Sequence, residues 1–273
     1  MLRAQGAFAF SSVLVACAAA ALAAAASRAL GFAPEPAVLA LAFCGTVVVY
    51  CVDRVRDLTR DAHTSPLRSA FVAKHRSALL AAAALCVAGA LAAGVLAGAR
   101  VIAIAGAIAA FGFAHRRLKR FAWAKPLYLT GSWTAVTVGL PAAAASAGNS
   151  SGVGALPFDL ARLALVTGIL GATVQANVVL SNLRDSEGLA AHFGSRRARA
   201  VAAMFAALAL ALVLLGAPEL RALAALPLAM VCAVAAFRPD ERYGAVVVDG
   251  ALLLGGALAA SGITWLSAGV ADQ

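Results

Sequence analysis

Long runs of apolar residues, each free of charge, recur along the whole chain. Nine such segments can be counted, at about 6–28, 36–52, 77–99, 101–114, 127–147, 159–181, 200–217, 219–237 and 244–270. A helix needs about 20 mostly apolar residues to cross a bilayer. With no water in the hydrocarbon to satisfy peptide groups, only helices and closed barrels can span it. A barrel strand alternates apolar and polar residues, whereas these runs are continuous. The sequence therefore predicts an all-α polytopic membrane protein with nine transmembrane helices. Only 12% of residues are charged, about half the share usual in a soluble domain. No long linker interrupts the pattern, so residues 1–273 are expected to form one transmembrane domain.

The net charge of +10 would suggest nucleic acid in a soluble chain, but here the basic residues sit between apolar runs. The expected partner is the lipid bilayer, not nucleic acid. Of the 22 Lys and Arg residues, 18 fall at the N-terminus and in the loops after the second, fourth, sixth and eighth segments. The other four, Arg28, Arg100, Arg162 and Arg221, fall on the opposite side. The positive-inside rule then predicts an integral protein of a bacterial-type inner membrane, with a cytoplasmic N-terminus and an external C-terminus.

"LVAC" at Leu14–Cys17 resembles a lipoprotein cleavage box, but the chain stays apolar to Ala26. A first span is expected rather than a cleaved leader. Cys17, Cys44, Cys51, Cys86 and Cys232 all lie in apolar runs without CxxC spacing, and they read as packing residues. The abundant Ala and Gly are the small residues that let membrane helices approach closely.

Against this background the stretch "VYCVDRVRDLTRDAHTSPLR", Val49–Arg68, stands out. If the second helix continues past Val52, then Asp53, Asp57 and Asp61 fall on one face. Each four-residue step turns a helix about 40° past a full turn and rises about 6 Å. Interleaved Arg56 and Arg60 could make this a salt-bridged helix end. The row could equally hold Mg²⁺, which takes one or two carboxylates together with phosphate oxygens. Spacing alone leaves both open.

"QANVVLSNLRDSEG" closes the sixth segment and brings Gln175, Asn177, Asn182, Arg184, Asp185 and Glu187 to the same side. Polar residues inside a span usually face the bundle interior, although Asn177 could serve only as an interhelical hydrogen bond. "HRRLKRFAWAKP", residues 115–126, adds cations that can stabilise phosphate oxygens or simply set topology. Asp249 falls inside the last segment, either as a functional acid or as a structural one. His63, His75, His115 and His192 lack ligand spacing, and no Walker A loop, HExxH, GxSxG or zinc pattern is present.

These motifs resemble those of the UbiA superfamily of intramembrane prenyltransferases. In that family Asp-rich motifs follow the second and sixth of nine helices and bind an isoprenyl diphosphate through Mg²⁺. Asp53 and Asp57 match the end of the first motif, while Val49 and Tyr50 replace its Asn and first Asp. Asn177, Asp185, Glu187 and Gly188 match the second, where Asn182 and Leu189 replace two aspartates. Lys119 and Arg120 fit the family's Lys-Arg pair after the fourth helix.

The resemblance implies a helix bundle around a central cavity open to the cytoplasm. It implies a Mg²⁺-dependent enzyme that moves an isoprenyl group from its diphosphate to an aromatic or other lipophilic acceptor, in quinone, haem, pigment or lipid synthesis. Asp53, Asp57 and Asp185 would be catalytic, and with Asp61 and Glu187 they would hold metal. Lys119, Arg120, Asn177, Asn182, Arg184 and Arg68 would bind the diphosphate. The competing readings are a catalytically impaired relative with thinned motifs and a small-molecule transporter. A transporter would show inverted repeats or a continuous polar stripe, and neither is visible.

Overall fold

A computed structural model describes residues 10–118, 124–148, 159–184, 193–238, 240–241 and 243–262. All regular structure among them is helical. In chain order the elements are α1 (Val13–Ala29), α2 (Pro36–Arg56), the single turn α3 (Leu58–Asp61) and α4 (Pro66–Lys74). They continue with α5 (Arg76–Ala97), α6 (Ala99–Leu118), α7 (Ala124–Thr134), α8 (Leu140–Gly148), α9 (Leu160–Arg184) and α10 (Ser195–Leu215). A 3₁₀ stretch, Pro218–Ala224, leads into α11 (Ala225–Ala235), and α12 is Asp249–Ala260. Among the described residues, five stretches are long and apolar enough to cross a membrane: α2, α5, α9, α10 and Pro218–Ala235. These make the chain an integral membrane protein.

Two spans are not the straight helices that their hydropathy suggests. Ala135–Gly139 is a π-helical segment joining α7 to α8, and Tyr243–Val248 is another leading into α12. At the first, Thr134 and Thr137 turn their hydroxyls back onto the carbonyls of Thr130 and Trp133 at 2.8 and 2.9 Å, bonds of a kind that often bends helices. A π-turn adds a residue and re-aims the side chains beside it, and such turns are frequent at functional sites.

Proline and glycine set several boundaries. Pro36 and Pro66 open α2 and α4, where the missing N–H is no loss. Gly98, at φ +95°, turns the chain between α5 and α6, a conformation in which a Cβ would be strained.

The helices form a closed ring. Going round, α1 meets α2, α2 meets α5, and α5 meets α6, which adjoins α7 and α8. Then α7 meets α9, followed by α10, α11 and α12, and α12 returns to α1. Small residues permit the closure. A Cβ on Gly256 would sit 3.2 Å from the Ala21 and Leu22 backbone, and one on Gly255 would sit 2.8 Å from Leu226 Cα. The α12 backbone thus lies directly on α1 and α11. Lipid tails are as apolar as Leu, so van der Waals fit of this kind, rather than exclusion of water, holds membrane helices together. The alanine-rich α1 is mostly buried and also touches the Ala135–Gly139 segment. Leu85, Val95, Leu96 and Leu215 are more than two-thirds exposed, as side chains facing lipid would be.

Candidate diphosphate and metal site

The row of aspartates keeps its helical spacing through a kink. Helix α2 ends at Arg56, and Asp57 leaves helical geometry with φ −92° and ψ 11°. Even so, the Asp57 N–H donates to the Asp53 carbonyl and the Asp61 N–H to the Asp57 carbonyl, both at 2.8 Å. Asp61 then receives Arg68 Nη2 at 2.7 Å. Arg68 stands in the first turn of α4, and its own backbone N–H and that of Leu67 donate to the Glu241 carboxylate at 3.0 and 3.1 Å. A residue between the last two segments is thereby clasped to the loop that carries the aspartates.

One turn deeper, Tyr50 marks the inner side of the same helix. The Trp133 indole N–H donates to its hydroxyl at 3.3 Å, and the two rings meet edge to face with centroids 6.5 Å apart. The Arg54 guanidinium lies 5.7 Å from the Tyr50 ring centroid. Its Nη1 donates to the Phe10 carbonyl at 2.6 Å and to Ser12 Oγ at 3.0 Å. Asp249 opens α12 immediately after the second π segment, within electrostatic range of both Tyr50 and Arg54. Val49 is 62% exposed, whereas Tyr50 is turned to its partners.

On α9, Gln175, Asn177 and Asn182 are all buried. The Thr130 hydroxyl donates to Gln175 Oε1, and Asn177 Nδ2 donates to the Val248 carbonyl at 3.0 Å. Asn177 therefore makes the interhelical bond that was one of its two readings. Asn182 Nδ2 is buried with no hydrogen-bond partner among the described residues. Beside Thr130 lies a wide-open, largely apolar groove of about 720 Å³, lined by Ile104, Gly131, Thr134, Gly139, Thr167 and Gly171. None of the aspartates lines it.

Lys119, Arg120, Asp185 and Glu187, and the side chain of Arg184, lie outside the described residues. Half of the expected donor set is therefore not described. Among the described residues no three His, Cys, Asp or Glu side chains converge as a ready-made metal nest. The donors that are described still suit Mg²⁺. They are hard carboxylate oxygens, and Mg²⁺ commonly takes one or two of these and completes its shell with water and phosphate. The orphan N–H of Asn182 suits an anion instead. His63 and His75 are exposed, and all five cysteines are free thiols.

Sequence reasoning missed Arg54, Trp133 and Glu241 as parts of the site. Arg54 and Glu241 read as ordinary loop charges, and nothing in the sequence pairs Trp133 with Tyr50.

These features define a ring-shaped, all-helical membrane bundle with a polar, aspartate-bearing end. The fold is similar to a solved structure of digeranylgeranylglyceryl phosphate synthase, with a TM-score of 0.53 and 13% identity, over 95% of this chain and 99% of that one. No family model matches the chain, and no curated protein matches it.

Proposed function

We propose that this protein is an intramembrane prenyltransferase with nine membrane-crossing segments and its aspartate-bearing end in the cytoplasm. The observation that carries the reading is the conjunction of fold and motif. A ring similar over nearly its whole length to a synthase named for a geranylgeranylated lipid has Asp53, Asp57 and Asp61 in helical register at the end of its second span.

Asp53 and Asp57, with Asp185 and Glu187 from the facing motif, would hold Mg²⁺. When bound, the ion supplies charge neutralisation of the diphosphate. Arg68, Lys119, Arg120 and Arg184 add cationic contacts to the leaving oxygens, and Asn182 offers its unused N–H to one of them. Asn177 holds α9 to the start of α12 and so acts by position. As the allylic C–O bond breaks, its electron pair leaves with the diphosphate. The Tyr50 and Trp133 rings line the next level inward, where an electron-rich face steadies positive charge. Apolar walls keep water from quenching the cation. The acceptor, an aromatic or other lipophilic molecule, then bonds to C1 and gives up a proton, which the departing diphosphate can take. The groove beside Thr130 provides an apolar surface for the isoprenyl tail.

A second reading is a relative with impaired catalysis. Its support is the engagement of Asp61 by Arg68 together with Tyr50, Asn182 and Leu189 at positions where the family has aspartate. Calorimetry with isoprenyl diphosphates of several lengths, with and without Mg²⁺, decides between them. Binding that needs both Mg²⁺ and Asp53 or Asp185, followed by turnover in an acceptor screen, supports the enzyme. The same binding without turnover favours the impaired relative, and no binding at any length overturns both.

A further inference from the structure

Helix α4 has an unusual cap. Its N-terminal amides, like those of any helix, favour an anion. A local cap is at hand in Ser65, yet Ser65 makes no side-chain capping bond. The anion present is Glu241, which is 173 residues away in sequence from Arg68 and takes the Leu67 and Arg68 N–H groups on separate carboxylate oxygens. The contact is partly open to solvent, so exchanging this carboxylate for another anion strands no deeply buried charge. Cations stand beside it. Arg68 is within electrostatic range of Arg54, and the Arg68 side chain is engaged by Asp61. Ser69, in the same turn, has a buried hydroxyl with no partner among the described residues.

We infer that Glu241 is an intramolecular competitor for the substrate head group, an autoinhibitory clasp that holds α4 against the last interhelical loop until a diphosphate takes its place. The inference rests on the prenyltransferase reading, because that reading brings a diphosphate to Arg68. In the closed state the carboxylate occupies the α4 amides. In the open state a phosphate oxygen occupies them, Arg68 turns from Asp61 to the same phosphate, and Asp61 becomes available to the metal. The thinned carboxylate set is thereby completed only when substrate is present. No covalent bond changes in the exchange.

The test is Mg²⁺-dependent binding of geranylgeranyl diphosphate and of inorganic diphosphate to the full chain, its Glu241→Ala and Glu241→Gln variants, and Asp53→Ala, with thermal unfolding measured in parallel. A competitor predicts that both Glu241 variants bind both ligands about two- to fivefold more tightly, the worth of one exposed charge at a helix end. The gain should be the same for the two ligands, because it concerns the head group alone. A Glu241 that merely caps α4 predicts equal or weaker binding and a lower unfolding temperature, and either binding result overturns the inference while leaving the prenyltransferase reading intact. Absence of binding in the parent and in both Glu241 variants overturns the two together. Binding seen only once Glu241 is removed is the strongest support.

Discussion

The indole N–H of Trp133 donates to the hydroxyl of Tyr50 at 3.3 Å, joining α7 to α2 one turn inward of Asp53. This bond is a polar tie between two apolar helices. Tyr50→Phe removes the acceptor and keeps the ring. It should lower stability in detergent by about 1 kcal/mol, the net worth of one such bond. Trp133→Leu also loses the edge-to-face contact, adding about 0.5–1.5 kcal/mol. Thermal unfolding of the two variants reads the difference. If the aromatic pair shelters an allylic cation, Trp133→Leu should reduce kcat far more than donor affinity.

Asn177 and Val248 hold α9 to the last helix. Asn177→Leu should cost about 1 kcal/mol, in the range measured for interhelical hydrogen bonds in membranes. Donor binding should weaken only as far as the helix end shifts. A large loss of diphosphate affinity without loss of stability would instead make Asn177 a direct ligand.

Asp61 and Arg68 form a part-exposed pair, with side chains 25% and 16% accessible. Pairs of this kind contribute about 0.2–1 kcal/mol. Asp61→Asn should therefore leave the unfolding temperature nearly unchanged while weakening Mg²⁺-dependent donor binding. Asp53→Ala should abolish that binding, and calorimetry distinguishes the two.

Gly131 borders the groove beside Thr130, and a Cβ added there meets no atom within 4 Å. Gly131→Leu should therefore fold and obstruct the groove. Binding of geranylgeranyl diphosphate should fall about tenfold, the loss expected for a few displaced methylene contacts, while dimethylallyl diphosphate binds as before. Equal effects on the two donors would remove this groove from the tail's path.

The helical class was legible because it depends on composition within single segments. Asp53, Asp57 and Asp61 were readable as a row because four-residue spacing is local. The kink at Asp57 was not, because it depends on how α3 and α4 fold back. The two π segments were hidden for a similar reason. Hydropathy sees the apolar run over 127–147 but not the backbone hydrogen-bond pattern within it. Glu241 was illegible because its partners are backbone amides, which carry no residue signature.

The close seat of Gly256 on Ala21 and Leu22 bears on how the molecule is made. Helix α1 is made well before α12, whose glycine face covers it. Until α12 inserts, lipid occupies that face of α1. Insertion of α12 is thus the step that locks the ring.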